Sequence, residues 1–137
     1  MFPWKTARNS LFRQVPLILA CLLSLSACEI IDPEAEQLKS NTRLELVDWH
    51  ISGLWVINSP VAWVRVTNMN NVPLHDITFE YRTFAADGHP LDRGTFTIEG
   101  KVPAGTTKNF VELYLGLVDL YTERLSLQLL SVKRSEH

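Results

Sequence analysis

From Arg43 onward, apolar side chains recur at every second position, and that period restricts the chain to strands half-buried in sheets. Leu44 and Leu46 alternate with Arg43, Glu45 and Val47. Ala62, Val64 and Val66 share one face, with Val61, Trp63, Arg65 and Thr67 on the other. Ile77, Phe79 and Tyr81 alternate with Thr78, Glu80 and Arg82, and Thr95 to Ile98 alternates again. A strand from Phe110 is expected to bury Val111, Leu113 and Leu115 and to turn Tyr114 outward. Leu125, Leu127 and Leu129 alternate with Ser126, Gln128 and Leu130. With the apolar, aromatic run from Gly53 to Ile57, these make about seven strands. The breaks between them are turn chemistry: Asn68 to Pro73, Ala86 to Pro90 with Gly88 free to take a positive φ, and Val102 to Gly105. Leu117 to Glu123 reads as a crossover, with a helical turn as one form it can take. Short strands with turns at this spacing pack as a two-sheet antiparallel β-sandwich, so residues 43–137 are expected to form one all-β domain.

The chain before Arg43 has a different design. Lys5, Arg8 and Arg13 make a basic start, Val15 to Leu25 is apolar apart from Pro16, Cys21 and Ser24, and Leu25-Ser26-Ala27-Cys28 closes the segment. A spanning helix needs about 20 apolar residues, so this run is too short, and its order is that of a removable signal. Taken alone, it is a secretory signal cut after an alanine, or an uncleaved anchor. The closing tetrapeptide resembles the lipobox of bacterial lipoproteins. That resemblance implies a signal peptide at residues 1–27, cleavage between Ala27 and Cys28, and acylation of Cys28. The chain would then reach the membrane through acyl chains, each buried methylene contributing about 0.8 kcal/mol. Glu29, rather than Asp, implies by the same resemblance sorting to the outer membrane, facing the periplasm. Residues 28–42 follow as the acylated cysteine and a flexible tether. Within it, Asp32 as N-cap and Pro33 at the first helical position predict one or two helical turns. Fully extended, the tether would reach about 40 Å.

Val64-Arg65-Val66-Thr67-Asn68, then Leu74 to Tyr81, Asp87-Gly88, and Pro103-Ala104-Gly105 followed by Phe110 are similar to the FxLYD-type immunoglobulin-like domains of bacterial envelope lipoproteins. The match covers under half of the chain that would remain after cleavage. The Tyr-Asp pair that often precedes the glycine turn in that family is replaced by Phe84-Ala85-Ala86-Asp87. The resemblance implies an immunoglobulin-like topology and carries no catalytic residues.

Cleavage of 27 from 137 residues leaves 110, and the loss of Lys5, Arg8 and Arg13 moves the formal charge from −2 to −5. Lysines and arginines are not clustered, which argues against a nucleic-acid partner. Of the two cysteines, Cys21 leaves with the signal and Cys28 is acylated, so neither a disulfide nor a thiolate metal site is expected. His50, His75, His89 and His137 form no His-x-His or His-x-x-x-His pair. His50 and Asp48, two apart on a strand, are the nearest approach to a metal site, with an exposed polar pair as the ordinary alternative. Gly-x-Ser-x-Gly and phosphate-binding glycine loops are missing, and Glu80, Asp92, Glu99 and Glu112 have no acid–base spacing. We therefore expect no enzyme activity and no cofactor. Trp49, Trp55 and Trp63 are close in sequence. A sandwich commonly buries its tryptophans, and Trp55 is expected in the core. Strict alternation turns Trp63 outward with Arg65, as it does Tyr114, and these three are the candidate interaction surface. Exposed aromatics of this kind anchor a protein partner or stack on a sugar. The expected role is a non-catalytic, lipid-anchored envelope module that binds another protein. The alternative is a glycan- or peptidoglycan-binding module.

Overall fold

The computed structural model describes residues 32–53 and 58–136. Expectations about the signal peptide, the Ala27–Cys28 cleavage, the acylation of Cys28 and the burial of Trp55 fall outside those residues. The described chain runs α1 (Pro33–Ser40), β1 (Thr42–Ser52), β2 (Ser59–Asn68), β3 (Leu74–Phe84), β4 (Pro90–Ile98), β5 (Thr107–Tyr114) and β6 (Arg124–Arg134). Two antiparallel three-stranded sheets, β1-β2-β5 and β4-β3-β6, form a β-sandwich. The chain changes sheet after β2, β4 and β5, which is the A-B-E and C′-C-F order of an immunoglobulin-like Greek key. Six strands are therefore named among the described residues, and most of the Gly53–Ile57 run lies outside them.

The core lies between the sheets. Val64, Val66, Leu74, Ile77, Phe79 and Val102 are fully buried. Burying side chains of this size contributes about 1.5–3 kcal/mol each. Phe79 and Phe96, ladder partners on β3 and β4, pack with ring centroids 5.6 Å apart. Tyr81 extends from β3 so far that a Cβ at either Gly94 or Gly116 would collide with its phenol. Burial, then the charge of Asp92, pushes the Tyr81 hydroxyl above the usual tyrosine pKa. On the outer face of this sheet, Arg82 and Arg93 stand opposite each other, a repulsive pairing. The Glu80 carboxylate joins both: Oε1 accepts from Arg82 and Oε2 lies 3.1 Å from Arg93. The Arg82 hydrogen bond, aided by both guanidinium charges, holds Glu80 below the usual carboxylate range.

The stretch expected as a flexible tether is helical over Pro33–Ser40. Asp32 caps it by accepting the Glu34 N–H at 3.1 Å, and Pro33 fills the first position. The helix packs against β6 and β1, with Leu38 on the core and Glu34 3.5 Å from Arg134. Its C-terminal carbonyls are claimed by the body of the domain. The Thr42 hydroxyl and the Asn70 amide both donate to Leu38 O, at 2.7 and 3.1 Å.

Asn70 belongs to a buried polar knot centred on Asn68, which is 0% exposed. Asn68 Nδ2 donates to the carbonyls of Val72, Val102 and Pro103 at 2.9, 3.1 and 3.3 Å. Its Oδ1 accepts from the backbone N–H and side-chain amide of Asn70, each at 3.0 Å. One side chain thus ties the β2–β3 turn to the turn before β5 and, through Asn70, to α1.

Bulges correct part of the alternation read from sequence. In β5, Phe110 and Leu113 pack on the core while Val111 is 57% exposed. Val111 and Glu112 together stand against the single residue Trp63, so Val111 faces out, opposite to expectation. In β6 the register shifts between the Phe79–Leu129 and Thr78–Ser131 pairs, and burial passes from Leu129 to Val132. The Leu117–Glu123 crossover contains no helix. It is an irregular loop with one turn closed by Thr122 N–H to Asp119 O at 3.2 Å.

Candidate functional site

β2 is the middle strand of its sheet, and its outward residues Val61, Trp63, Arg65 and Thr67 run down the centre of an open face. The ladder with β1 places Asp48 opposite Trp63, His50 opposite Val61 and Glu45 opposite Arg65. The ladder with β5 places Tyr114 opposite Val61 and Asn109 opposite Arg65. Both neighbouring strands bulge at the level of Trp63. On β1, Val47 is the extra residue between the Leu46–Val64 and Asp48–Trp63 pairs; on β5 the pair Val111–Glu112 is set against Trp63 alone. Bulges bend a strand and re-aim its side chains. Here they bring Asp48 and Glu112 to either side of the indole. The resulting groove has a volume of about 180 Å³ and is lined by Asp48, Trp49, His50, Val61, Ala62, Trp63, Val111 and Glu112.

The face is apolar at its centre and polar around it. Trp63 is 41% exposed and Tyr114 60%, while Val61 beneath them is buried. Arg65 is held in place by its Nε–H donating to Asn109 Oδ1 at 3.2 Å. Asp48 is exposed, and its Oδ1 accepts the Trp49 N–H at 2.8 Å. Neither Asp48 nor Glu112 belongs to an ion pair among the described residues. Glu112 has φ +56, the left-handed region that side chains with a Cβ enter at a cost of roughly 1–2 kcal/mol. Such strain marks positions held by something other than local backbone preference.

The structure thus gathers all three expected surface residues, Trp63, Arg65 and Tyr114, on one face, and adds Asp48 and His50 to it. Trp49 turns inward and packs on the core. Val111 and Glu112 escaped sequence reading, since neither residue type announces a bulge or a positive φ. Among the described residues, no three His, Cys, Asp or Glu side chains are grouped to hold a metal. Two further histidines pair locally: His75 Nδ1 lies 3.1 Å from Asp76, and His89 bonds Asp87. The backbone N–H of His89, then its ring, holds Asp87 below the usual carboxylate range. No described helix is long and apolar enough to cross a membrane. No protein-family model, curated protein or solved structure matches the chain.

Proposed function

We propose that this chain is a lipid-anchored, non-catalytic protein of the bacterial cell envelope. Its immunoglobulin-like domain binds another protein through the outer face of the β1-β2-β5 sheet. The observation that carries the reading is the exposed Trp63, bracketed by two bulges and flanked by Tyr114, Arg65, Asp48 and Glu112. Protein interfaces are built on such aromatic anchors ringed by polar groups, with arginine enriched among them. The Leu25-Ser26-Ala27-Cys28 sequence supports acylation at Cys28, and Glu29 supports delivery to the outer membrane facing the periplasm. The strand order, and Asn68 closing β2 before a polar turn, are in keeping with kinship to the FxLYD-type domains.

Two experiments test this. Cys28→Ala should shift the protein from the membrane to the soluble fraction of the envelope; an unchanged membrane fraction refutes the anchor. In vivo crosslinking followed by affinity purification should recover one dominant protein partner that Trp63→Ala loses; a partner retained at full yield refutes the site.

A second reading draws on the same groove. An indole beside Asp48, His50 and Glu112 is also the arrangement that stacks on and hydrogen-bonds a sugar ring. Under that reading, peptidoglycan fragments or oligosaccharides shift the tryptophan emission of the wild-type protein but not of Trp63→Ala. No shift leaves the protein-binding reading in place.

A further inference from the structure

The sandwich has two unlike poles. Asp32, α1, the start of β1 and the end of β6 lie at one; the β3–β4 and β5–β6 connections lie at the other, about 35 Å away along strands of this length. At the second pole the β5–β6 loop presents three large apolar side chains to solvent: Leu117 is 70% exposed, Leu120 66% and Tyr121 75%. Large apolar groups clustered this way on a soluble surface mark a contact site. The loop is also firmly held. Val118 N–H donates to Asn58 O at 2.9 Å, Asp119 N–H to Asp92 Oδ2 at 2.7 Å, Tyr121 N–H to Asp119 Oδ1 at 2.8 Å, and Glu123 N–H to Phe84 O at 2.9 Å. These bonds fix the backbone in a shape that keeps the apolar side chains out.

Beside Tyr121 lies an open groove of about 540 Å³ shared with the β3–β4 turn, its floor formed by Ala85, Ala86 and Leu91. Its charged groups are Asp87, Asp119 and Glu123, and the two connections, residues 85–89 and 115–123, contain no lysine or arginine. His89 is occupied with Asp87. The nearest cation, Arg124, is engaged over the Phe84 ring, 4.6 Å from its centroid, so the groove itself offers apolar contact beside three carboxylates. An anionic bilayer is repelled by those carboxylates, because loops that enter membranes carry Lys and Arg beside their aromatics. A second copy meeting this pole symmetrically would set the same carboxylates against one another.

We propose that this pole docks a cationic, amphipathic segment of another protein. Its apolar side chains seat on Leu117, Leu120 and Tyr121, and its lysines or arginines face Asp87, Asp119 and Glu123. The site is separate from the Trp63 face and stands or falls independently of it.

The test uses the full-length chain held in phosphatidylcholine nanodiscs, with empty nanodiscs as the blank. The probes are a dye-labelled amphipathic Leu/Lys peptide, its Leu/Glu counterpart, and vesicles containing phosphatidylglycerol. The Leu/Lys peptide should bind, and the double variant Leu120→Ser with Tyr121→Ser should weaken it by roughly tenfold or more. Both side chains are exposed, so the double variant should melt at the wild-type temperature. Trp63→Ala should leave the peptide affinity unchanged. Three results would overturn the proposal: equal affinity for the Lys and Glu peptides, full affinity in the double variant, or capture of the anionic vesicles that the double variant abolishes.

Discussion

Replacing Asn68 with alanine isolates the cost of the buried polar knot, because the bonds it makes can be followed one by one. Without its amide, the Val102 carbonyl still accepts the Leu74 N–H at 3.0 Å. The Pro103 carbonyl keeps the Thr106 hydroxyl at 2.8 Å. Asn70 Nδ2 retains Leu38 O and Thr42 Oγ1. Two groups lose their partner: the Val72 carbonyl and the Asn70 backbone N–H. At about 1–3 kcal/mol for each group left unsatisfied, the loss should be about 2–6 kcal/mol. That is a large share of the roughly 5–15 kcal/mol that holds a domain of this size together. At about 4–8 °C per kcal/mol, it should lower Tm by at least 8 °C or so. Asn68→Asp should be worse than alanine. It sets a carboxylate oxygen against the Val72, Val102 and Pro103 carbonyls in a place without solvent to shield it. Urea unfolding followed by circular dichroism at neutral pH measures both. A loss below about 0.5 kcal/mol for the alanine variant, the range of ordinary surface changes, would refute the reasoning. So would an aspartate variant more stable than the alanine one.

Glu80→Gln should flatten the acid limb of the stability profile. The folded pKa of Glu80 lies below its unfolded value, so its contribution is complete above the unfolded value and is lost as pH falls through the folded one. Urea midpoints collected from pH 7 down through about pH 3 should therefore fall more steeply for wild type than for the variant; parallel profiles would count against the Arg82–Glu80–Arg93 cluster. Glu112→Gly should raise stability by about 0.5–1 kcal/mol by relieving the left-handed backbone, while weakening any ligand of the Trp63 face; thermal melts and partner binding check the two halves. Gly94→Ala should cost about 1–3 kcal/mol, because the new methyl displaces the buried Tyr81 phenol, readable as a lower Tm with loss of near-ultraviolet dichroism. Phe79→Asp and Val64→Asp each place a lone charge in the core and should abolish cooperative unfolding; a variant with the wild-type urea midpoint would contradict the packing described for β2 and β3.

The faces of β2, β3 and β4 were legible because no residue interrupts their alternation where it matters. Val64 and Val66 go in, Trp63 and Arg65 go out, and the period alone says so. Asp32-Pro33 announced α1 for an equally local reason: a cap side chain and a fixed φ act within one turn. What the helix docks against was not legible, because Leu38 meets partners far along the chain. Val111 was misplaced because a bulge is settled by neighbouring strands, and Phe110 and Val111 fit a core position about equally well. Glu112 was invisible for a related reason. Its φ is imposed by the ladder on either side, whereas a sequence signal for that conformation would have been Gly or Asn. Asn68 looked like the end of a strand, but its role as a junction depends on two turns that meet only in three dimensions. The face around Trp63 was half readable: its strand-borne members follow from period two, and its flanking carboxylates follow from register.

The tie between α1 and the Asn70 turn bears on how the domain withstands tension. Met69 N–H donates to Asn41 O at 2.9 Å, so the helix end and the start of β1 are fastened to the same turn. A pull between Asp32 and the opposite pole then travels along β1, which is laced to β2 by ten register pairs. Hydrogen bonds of an antiparallel ladder run across the strands. Traction along the strand loads them in shear, together, whereas a pull at right angles would open them singly like a zip. Were the domain held at Asp32 and pulled at Leu117–Tyr121, the load would run along its mechanically stiff axis.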